Sequence, residues 1–144
     1  MTVTKNCENG WNCFVFGDKE VPKNKISKWK IKINKKISKN FWDFYIGIGP
    51  KLIKKQYYNE CWSLVSANSE IKANIKGEVA FLNIPKGELK IGDIIEVIVD
   101  RKLGNLSFAV NGVNFGIISS NIPKDDELYP SIILYENGAS VEIV

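Results

Sequence analysis

Histidine is absent from this sequence of 144 residues. Its absence excludes histidine-based acid–base catalysis, nucleophiles activated by histidine, and histidine-ligated metal ions. The three cysteines, Cys7, Cys13 and Cys61, include no CxxC pair and would need a fourth ligand to hold a structural zinc ion. No group of carboxylates or lysines points to an enzyme either. We therefore expect no catalytic residue, no metal site and no cofactor.

Long apolar runs are also missing. No segment approaches the ~20 apolar residues that span a membrane. The first residues, MTVTKNCENGWNC, lack the apolar region of a secretory signal. An odd number of cysteines in a chain without an export signal favours reduced thiols. We therefore expect an intracellular, cytoplasmic protein that does not bind membranes.

Apolar residues with a helical period are absent beyond a turn or two, whereas alternation with a period of two is frequent. In the central stretch 92–112, Leu106, Phe108 and Val110 alternate with small or polar residues. This alternation places the large side chains on one face of a strand. The preceding run, residues 94–99, is rich in β-branched residues, which favours a second strand.

Turn signals separate these two strands and follow them. Asp100 precedes a charged segment that ends in Gly104, and we expect the Asp100 carboxylate to cap a tight turn. Asn111-Gly112 favours a type I′ hairpin turn. The stretch therefore predicts two antiparallel hairpins in succession.

Other strand-like segments recur at short intervals. Trp29, Ile31 and Ile33 are expected to point inward, as are Trp62 and Leu64, while segment 66–77 looks like a polar turn region. We count at least nine strands and predict an all-β protein, a two-sheet antiparallel β-sandwich with little or no helix. Residues 1–9 are predicted to form an N-terminal arm or first strand, and residues 10–144 a single domain.

Charge is distributed unevenly along the chain. Residues 1–60 contain 13 lysines and 5 acidic residues, whereas the remainder is acidic overall. Lys28, Lys30 and Lys32 lie on one predicted strand face, where they could bind phosphates. The simpler interpretation is a solvated face or a charged edge that resists aggregation.

Six motifs, in order, carry a family resemblance. They are Trp29-Lys30-Ile31-Lys32-Ile33, Ile46-Gly47-Ile48-Gly49, Cys61-Trp62-Ser63-Leu64, Gly92-Asp93, Leu106-Ser107-Phe108 with Asn111-Gly112, and Leu128-Tyr129-Pro130. Over roughly residues 10–144 the sequence resembles a SPRY domain, a concanavalin-like β-sandwich of the jelly-roll type. The resemblance implies a non-enzymatic module that binds a peptide or protein surface through loops at one end of the sandwich.

The resemblance also indicates which loops to consider. Tyr57 and Tyr58 precede Cys61 in a connection where peptide-binding relatives carry an exposed tyrosine, and residues 9–12 form another such loop. The hairpin with Tyr135, Glu136 and Asn137 occupies a further binding position. Glu136 stands about where relatives that bind acidic, asparagine-rich peptides have tryptophan, which argues against that ligand.

Tryptophans supply one further candidate. Trp42 lies at a loop end beside a polar stretch, and tryptophan is a frequent interface anchor. Trp11, Trp29 and Trp62 are expected to lie in the core. The predicted partner is a protein or peptide, and the chain is considered as a subunit of a larger assembly.

Two alternative functions remain open. The first is a lectin-like carbohydrate-binding domain, although a lysine-faced strand is a poor sugar platform. The second is nucleic-acid binding through Lys51, Lys54 and Lys55 with tyrosines stacking on bases.

Overall fold

The computed structural model describes residues 1–8, 10–11, 14–35, 42–52, 56–67, 70–81 and 89–144. Within them, twelve β-strands, numbered in chain order, form two antiparallel sheets of six strands each. The helical structure is one 3₁₀ helix, Tyr57–Glu60. This architecture confirms the predicted two-sheet β-sandwich with little helix.

The first sheet contains the predicted central hairpins. In spatial order its strands are β1 (Thr2–Thr4), β12 (Ser140–Ile143), β3 (Ile26–Lys35), β8 (Ile94–Asp100), β9 (Asn105–Val110) and β10 (Val113–Ser119).

The second sheet carries the candidate site. In spatial order its strands are β2 (Phe14–Phe16), β11 (Tyr129–Leu134), β4 (Trp42–Gly49), β5 (Trp62–Ala67), β6 (Glu70–Ile75) and β7 (Glu78–Phe81). The connection between β4 and β5 includes the 3₁₀ helix.

The main core lies between the two sheets. Leu106, Phe108 and Val110 on β9 are at most 1% exposed, and Trp62 and Leu64 on β5 also face this core. The period-two alternation therefore predicted the inward faces correctly, because each sheet buries one face against the other.

Both turns of the central stretch have the predicted geometry. Asn111 and Gly112 have φ angles of +50° and +83°, as a type I′ turn requires. The Asp100 carboxylate accepts hydrogen bonds from the backbone N–H groups of Lys102 and Leu103, at 2.9 and 3.1 Å. Asp100 is therefore a turn-capping residue.

Strand β6 was not predicted. Segment 66–77 was expected to be a polar turn region, but Glu70–Ile75 pairs with β5 and β7. Its polar Asn74 is fully buried, so the strand does not show a clean alternation of apolar and polar residues.

The cysteine prediction was partly wrong. Cys7 is disulfide-bonded, whereas Cys61 is free and buried; Cys13 lies outside the described residues. The expectation of reduced thiols is therefore wrong for Cys7. The cysteines no longer support an intracellular location, and that location stays a prediction. None of the helical residues that the structure describes forms a segment long and apolar enough to cross a bilayer.

Candidate functional site

The second sheet has a second apolar cluster on its outer face, the face turned away from the first sheet. We call it the outer cluster. Its buried members are Tyr45, Tyr57, Cys61, Val65 and Ile133, and its partly buried members are Trp11, Phe14, Phe16, Leu52 and Tyr58.

Strand register brings the centre of this cluster together. Tyr45 on β4 pairs with Ile133 on the neighbouring strand β11 and with Val65 on the other neighbour, β5. Side chains at paired positions project from the same face of a sheet. The three side chains therefore form an apolar row on the outer face, with the Tyr45 ring at its centre.

Two glycines shape a depression beside this row. A Cβ atom at Gly47 would lie 2.6 Å from Ser63 Cα, and one at Gly49 would lie 2.8 Å from Cys61 Cβ. Real side chains do not pack this closely, so only glycine fits at either position. The two glycines therefore permit close packing, and the Tyr57 side chain occupies the space over Gly49.

Tyr57 is completely buried. Its ring stacks on Phe14 with centroids 5.2 Å apart and meets the edge of Phe16 at 5.1 Å. Its hydroxyl donates to the Pro50 carbonyl oxygen at 2.6 Å, and burial raises its pKa. Tyr57 therefore packs the outer cluster and offers no surface to a partner.

Tyr58, the next residue, points differently. Its half-buried ring stacks on Tyr45, with centroids 5.5 Å apart and 17° between the ring planes. The 3₁₀ turn separates neighbouring side chains by about a third of a turn, which sends one tyrosine inward and leaves the other with an exposed surface. Of the predicted pair, Tyr58 is the one that a partner can reach.

Asn74 holds this 3₁₀ helix on the sheet. From its buried position on β6, its amide nitrogen donates to the carbonyl oxygens of Tyr58 and Cys61, at 2.9 and 3.1 Å, and to the Ser63 hydroxyl at 3.1 Å. Its amide oxygen accepts from the Gly77 N–H at 2.9 Å. One side chain therefore positions both the helix and the β6–β7 turn.

Trp11 connects Tyr45 to the β11–β12 hairpin. Its ring makes edge contacts with Tyr45 and with Tyr135, each with centroids 4.7 Å apart. Tyr58, Tyr45, Trp11 and Tyr135 thus form a continuous chain of four aromatic rings, the aromatic chain. This chain links two loops that the sequence placed 77 residues apart.

Lys5 fixes the segment that carries Trp11. Its ammonium group donates to the carbonyl oxygens of Gly10 and, at 3.0 Å, Leu134. The Gly10 N–H in turn donates to the Tyr135 carbonyl oxygen at 2.9 Å. Lys5 is itself buried, and this burial lowers its pKa. The N-terminal segment is therefore tied to the end of β11.

The remaining predicted site residues have different surroundings. Glu136 is only 5% exposed, and its Oε1 atom has no hydrogen-bond partner among the described residues. Asn137 is exposed in the hairpin turn. Trp42 begins β4, but its side chain lies outside the described part of the structure. Glu136, like Tyr57, has almost no surface for a partner.

The two predicted loops do not leave the sheet at one end. Gly49 at the end of β4 pairs with Tyr129 at the start of β11, while Phe44 near the start of β4 pairs with Leu134 at the end of β11. The loop with Tyr58 and the hairpin with Tyr135 therefore leave from opposite ends. Their tyrosine rings are connected over the outer face only through Tyr45 and Trp11.

Two members of the aromatic chain were not predicted from the sequence. Trp11 was expected in the core, yet it is half-buried in the outer cluster, and Tyr45 was not among the predicted site residues. The one available signal was the position of Trp11 within the candidate loop 9–12. Trp29, half-buried, and Trp62, buried, pack in the main core as expected.

Two further acidic groups of the outer cluster are, like Tyr57, held in their neutral forms. Burial raises the pKa of the Cys61 thiol to about 12, and the Glu60 charge contributes in the same direction. Burial, with smaller contributions from Tyr58 and Cys61, raises the pKa of Tyr45 to about 12. Cys61 therefore does not provide a thiolate nucleophile at neutral pH.

The outer face of the first sheet is polar. Lys28 and Lys30 are exposed there, and Lys30 lies 3.8 Å from the Glu96 carboxylate. A shallow groove of about 360 Å³ on this face includes both lysines, Glu96, Asn111 and Asn114, without an aromatic residue in its lining. Opposite charges partly neutralise the lysine row, and the groove lacks the aromatic platform of a sugar site.

Comparisons with known proteins identify the fold. A family model described as "SPRY domain" matches residues 27–144. The SPRY domain of human HERC1 superposes with a TM-score of 0.68 at 18% identity, over 90% of this chain and 80% of that one. The TRIM65 PSpry domain gives 0.66 at 12% identity, over 93% and 70%.

A third similar structure is stonustoxin, with a TM-score of 0.67 at 14% identity, over 91% of this chain and 22% of that one. No curated protein matches the sequence. At these identities the structural likeness concerns the fold alone, while the family match covers most of the chain. The chain belongs to the SPRY domain family, whose members are generally protein-interaction modules.

Proposed function

We propose that this protein is a non-enzymatic interaction module that binds a protein or peptide on the outer face of its second sheet. Tyr58, Trp11 and Tyr135 form the contact surface, and Tyr45 supports them from below. The observation that carries this proposal is the aromatic chain, because it joins two separate loops into one apolar surface.

The chemistry of this surface suits protein recognition. Tyrosine and tryptophan bury large areas while they lose little side-chain entropy, and they are the commonest residues at binding hot spots. The three rings are half-buried and packed against rigid strands, so little ordering is required on binding. Asn137, exposed beside Tyr135, is placed to supply a polar contact at the rim.

The test compares capture of proteins from a lysate of the source cells by three forms of the protein. These are the wild type, a Tyr58→Ala/Tyr135→Ala variant, and a Lys28→Ala/Lys30→Ala control on the first sheet. Thermal melts first establish that all three are folded. A partner that binds the aromatic chain is retained by the wild type and the control, and lost by the tyrosine variant.

The identified partner is then measured quantitatively. Truncation of one hot-spot aromatic costs about 2 kcal/mol, so each tyrosine substitution should weaken binding about 30-fold. Equal affinity for the wild type and the tyrosine variant would refute this surface. Loss of binding in the lysine control, with a strong salt dependence, would instead support nucleic-acid or other anion binding.

A further inference from the structure

The two edge strands of the second sheet differ in their protection. One edge strand of the second sheet, β7, begins with the charged residue Glu78. The other, β2, has the sequence Phe14-Val15-Phe16 and pairs with β11 in regular register. On the first sheet, the edge strand β10 is irregular, with two register shifts. Charges and bulges normally prevent an edge from pairing with another chain. Strand β2 has neither.

The backbone of β2 has a defined open side. Val15 pairs with Ile132, and the Gly17 N–H donates to the Pro130 carbonyl oxygen at 2.9 Å. In an antiparallel ladder, hydrogen-bonding groups alternate between the two sides of a strand. The backbone groups of Val15 therefore face β11, and those of Phe14 and Phe16 point to the open edge, where no described strand pairs.

Below this edge, the residues that the structure describes leave space between the sheets. Val15 is on the inward face, opposite the core residue Ile132, yet it is 40% exposed. Beside it, between β1 and β2, lies a cavity of about 190 Å³ whose lining is almost entirely apolar and includes Val3, Trp29 and Ile31. The core is thus open to solvent at this edge.

A second cavity continues the first. It has a volume of about 140 Å³ and shares Val3, Val15 and Ile132 with its neighbour. Along β11, the first cavity is lined by Pro130 and Ile132, and the second by Ile132 and Leu134. The two are therefore offset by two strand residues, or ~7 Å, which is the spacing of side chains on one face of an extended chain.

We propose that an extended peptide segment of the partner adds to the open edge of β2 and inserts two apolar side chains, two positions apart, into these cavities. The backbone groups of Phe14 and Phe16 supply the main-chain hydrogen bonds, and the cavities supply the side-chain selectivity, as in other cases of strand addition. An apolar cavity of ~150 Å³ holds a benzene ring, so the first cavity accepts a side chain such as leucine or phenylalanine. The second cavity is smaller, and Thr4, Lys5 and Asn6 also line it, so it accepts a smaller apolar side chain.

This inference rests on the proposed function, because β2 borders both surfaces. Phe14 and Phe16 belong to the outer cluster, whereas Val15 faces the cavities. Alternate side chains of an added strand would therefore contact the outer face and the cavities in turn. A second copy of this chain fits less well, because its β2 offers only Val15 as an inward side chain and Gly17 none.

The variants for the test carry one substitution on each edge strand of the second sheet, with Val15 on the inward face and Val79 on the outer face. Val15→Trp fills the cavities, and Val79→Trp introduces the same change on β7, where Val79 is 45% exposed. Because both valines are partly exposed, both variants should fold, as a thermal melt will show. Val15→Glu and Val79→Glu form a second pair. The charge of the first should disfavour insertion of an apolar side chain into the cavities, and the second is its control.

The probe is a phage-display library of random nine-residue peptides, selected on the wild-type protein. We expect enriched peptides to carry apolar residues at positions i and i+2. Their affinity should fall at least tenfold for Val15→Trp and change less than twofold for Val79→Trp. In hydrogen exchange, the amide protons of Phe14 and Phe16 should become protected when an enriched peptide is bound.

Three results would overturn the inference. One is enrichment without the i, i+2 pattern or no enrichment at all, and another is equal binding to the Val15 and Val79 variants. The third is concentration-dependent dimerisation of the wild type that Val15→Trp abolishes, since the occupant would then be a second copy. If Tyr58→Ala/Tyr135→Ala abolishes partner capture while Val15→Trp does not, the proposed function stands and only this inference fails.

Discussion

The outer faces of the two sheets differ although the sheets have the same number of strands. The first sheet presents lysines to solvent, with Lys30 paired to Glu96 and Lys32 opposite Glu142. The second sheet carries a further apolar layer, in which Tyr57 and Tyr45 are nearly or completely buried outside the sandwich core.

A sandwich needs only one apolar face per sheet, because the opposite face can meet water. The first sheet follows this rule, and its outer face requires no further explanation. The outer cluster exceeds what the core requires, and it is built from separate chain segments that Asn74 and Lys5 hold in place. Because only the second sheet carries such a layer among the described residues, the comparison of the two faces indicates that the candidate surface is the outer face of the second sheet.

The largest expected effect is from Tyr57→Ala. Tyr57 is 0% exposed, so truncation creates a cavity in the outer cluster and should lower the free energy of unfolding by about 3–5 kcal/mol in urea titrations. Tyr57→Phe retains the ring and loses the hydrogen bond to Pro50, so it should cost about 1 kcal/mol. A cost below about 1 kcal/mol for Tyr57→Ala would show that the outer cluster is not a packed layer.

Asn74→Ala should have the next largest effect. The substitution removes the amide donor to the carbonyl oxygen of Tyr58, one of the two donors to that of Cys61, and the acceptor of the Gly77 N–H, so it should cost about 2–3 kcal/mol. The matched control is Asn114→Ala on the first sheet, where the exposed side chain accepts a hydrogen bond from the Gly116 N–H at 2.7 Å. This control should change stability by less than about 1 kcal/mol. Similar costs for both substitutions would contradict the comparison between the faces.

The main core could be predicted from sequence, whereas much of the outer face could not. Alternation with a period of two is a local signal, so Phe108 and Leu64 were placed correctly. Asn74 gave no such signal, because its burial is stabilised by partners up to 16 residues away. For this reason the sequence of segment 70–75 indicated a turn region instead of β6.

The candidate surface was found only in part, for a similar reason. Tyr57 and Tyr58 are the same residue type at adjacent positions, and sequence cannot tell which one a 3₁₀ turn directs inward over Gly49. The contact of Tyr135 with Trp11 depends on the hydrogen bonds that Lys5 donates to Gly10 and to Leu134 at the end of β11. Such contacts between distant segments leave no local pattern.

Alkaline pH should destabilise the outer cluster selectively. A cysteine thiol and a tyrosine phenol ordinarily have pKa values of 9.0 and 10.0, and burial raises the pKa values of Cys61 and Tyr45 to about 12. Between these limits the unfolded chain has released protons that the folded chain retains at Cys61 and Tyr45, so these two groups lower the stability as pH rises from about 9 to 12. Lys5, whose pKa is lowered by burial, contributes in the opposite direction below its ordinary pKa of 10.5. Each group changes the free energy of unfolding by at most about 1.4 kcal/mol per pH unit.

Urea unfolding at pH 8, 9, 10 and 11 measures this dependence. Cys61→Ala should flatten the first part of the curve, between about pH 9 and 10, because Tyr45 begins to contribute only above the latter value. A pH dependence between pH 9 and 10 that Cys61→Ala left unchanged would mean that the thiol is exposed to water. The outer face would then resemble that of the first sheet.

The smallest expected effect concerns the Lys30–Glu96 pair on the first sheet. Its two atoms are 3.8 Å apart, and the side chains are 57% and 23% exposed. Water and salt screen such a pair, so Lys30→Ala should change the free energy of unfolding by at most about 0.5 kcal/mol. A double-mutant cycle with Glu96→Ala at low and high salt isolates the pairwise interaction. A coupling energy well above 1 kcal/mol would mean that side-chain contacts on this face also stabilise the fold. The strength of such contacts would then not distinguish the aromatic surface of the second sheet from the outer face of the first.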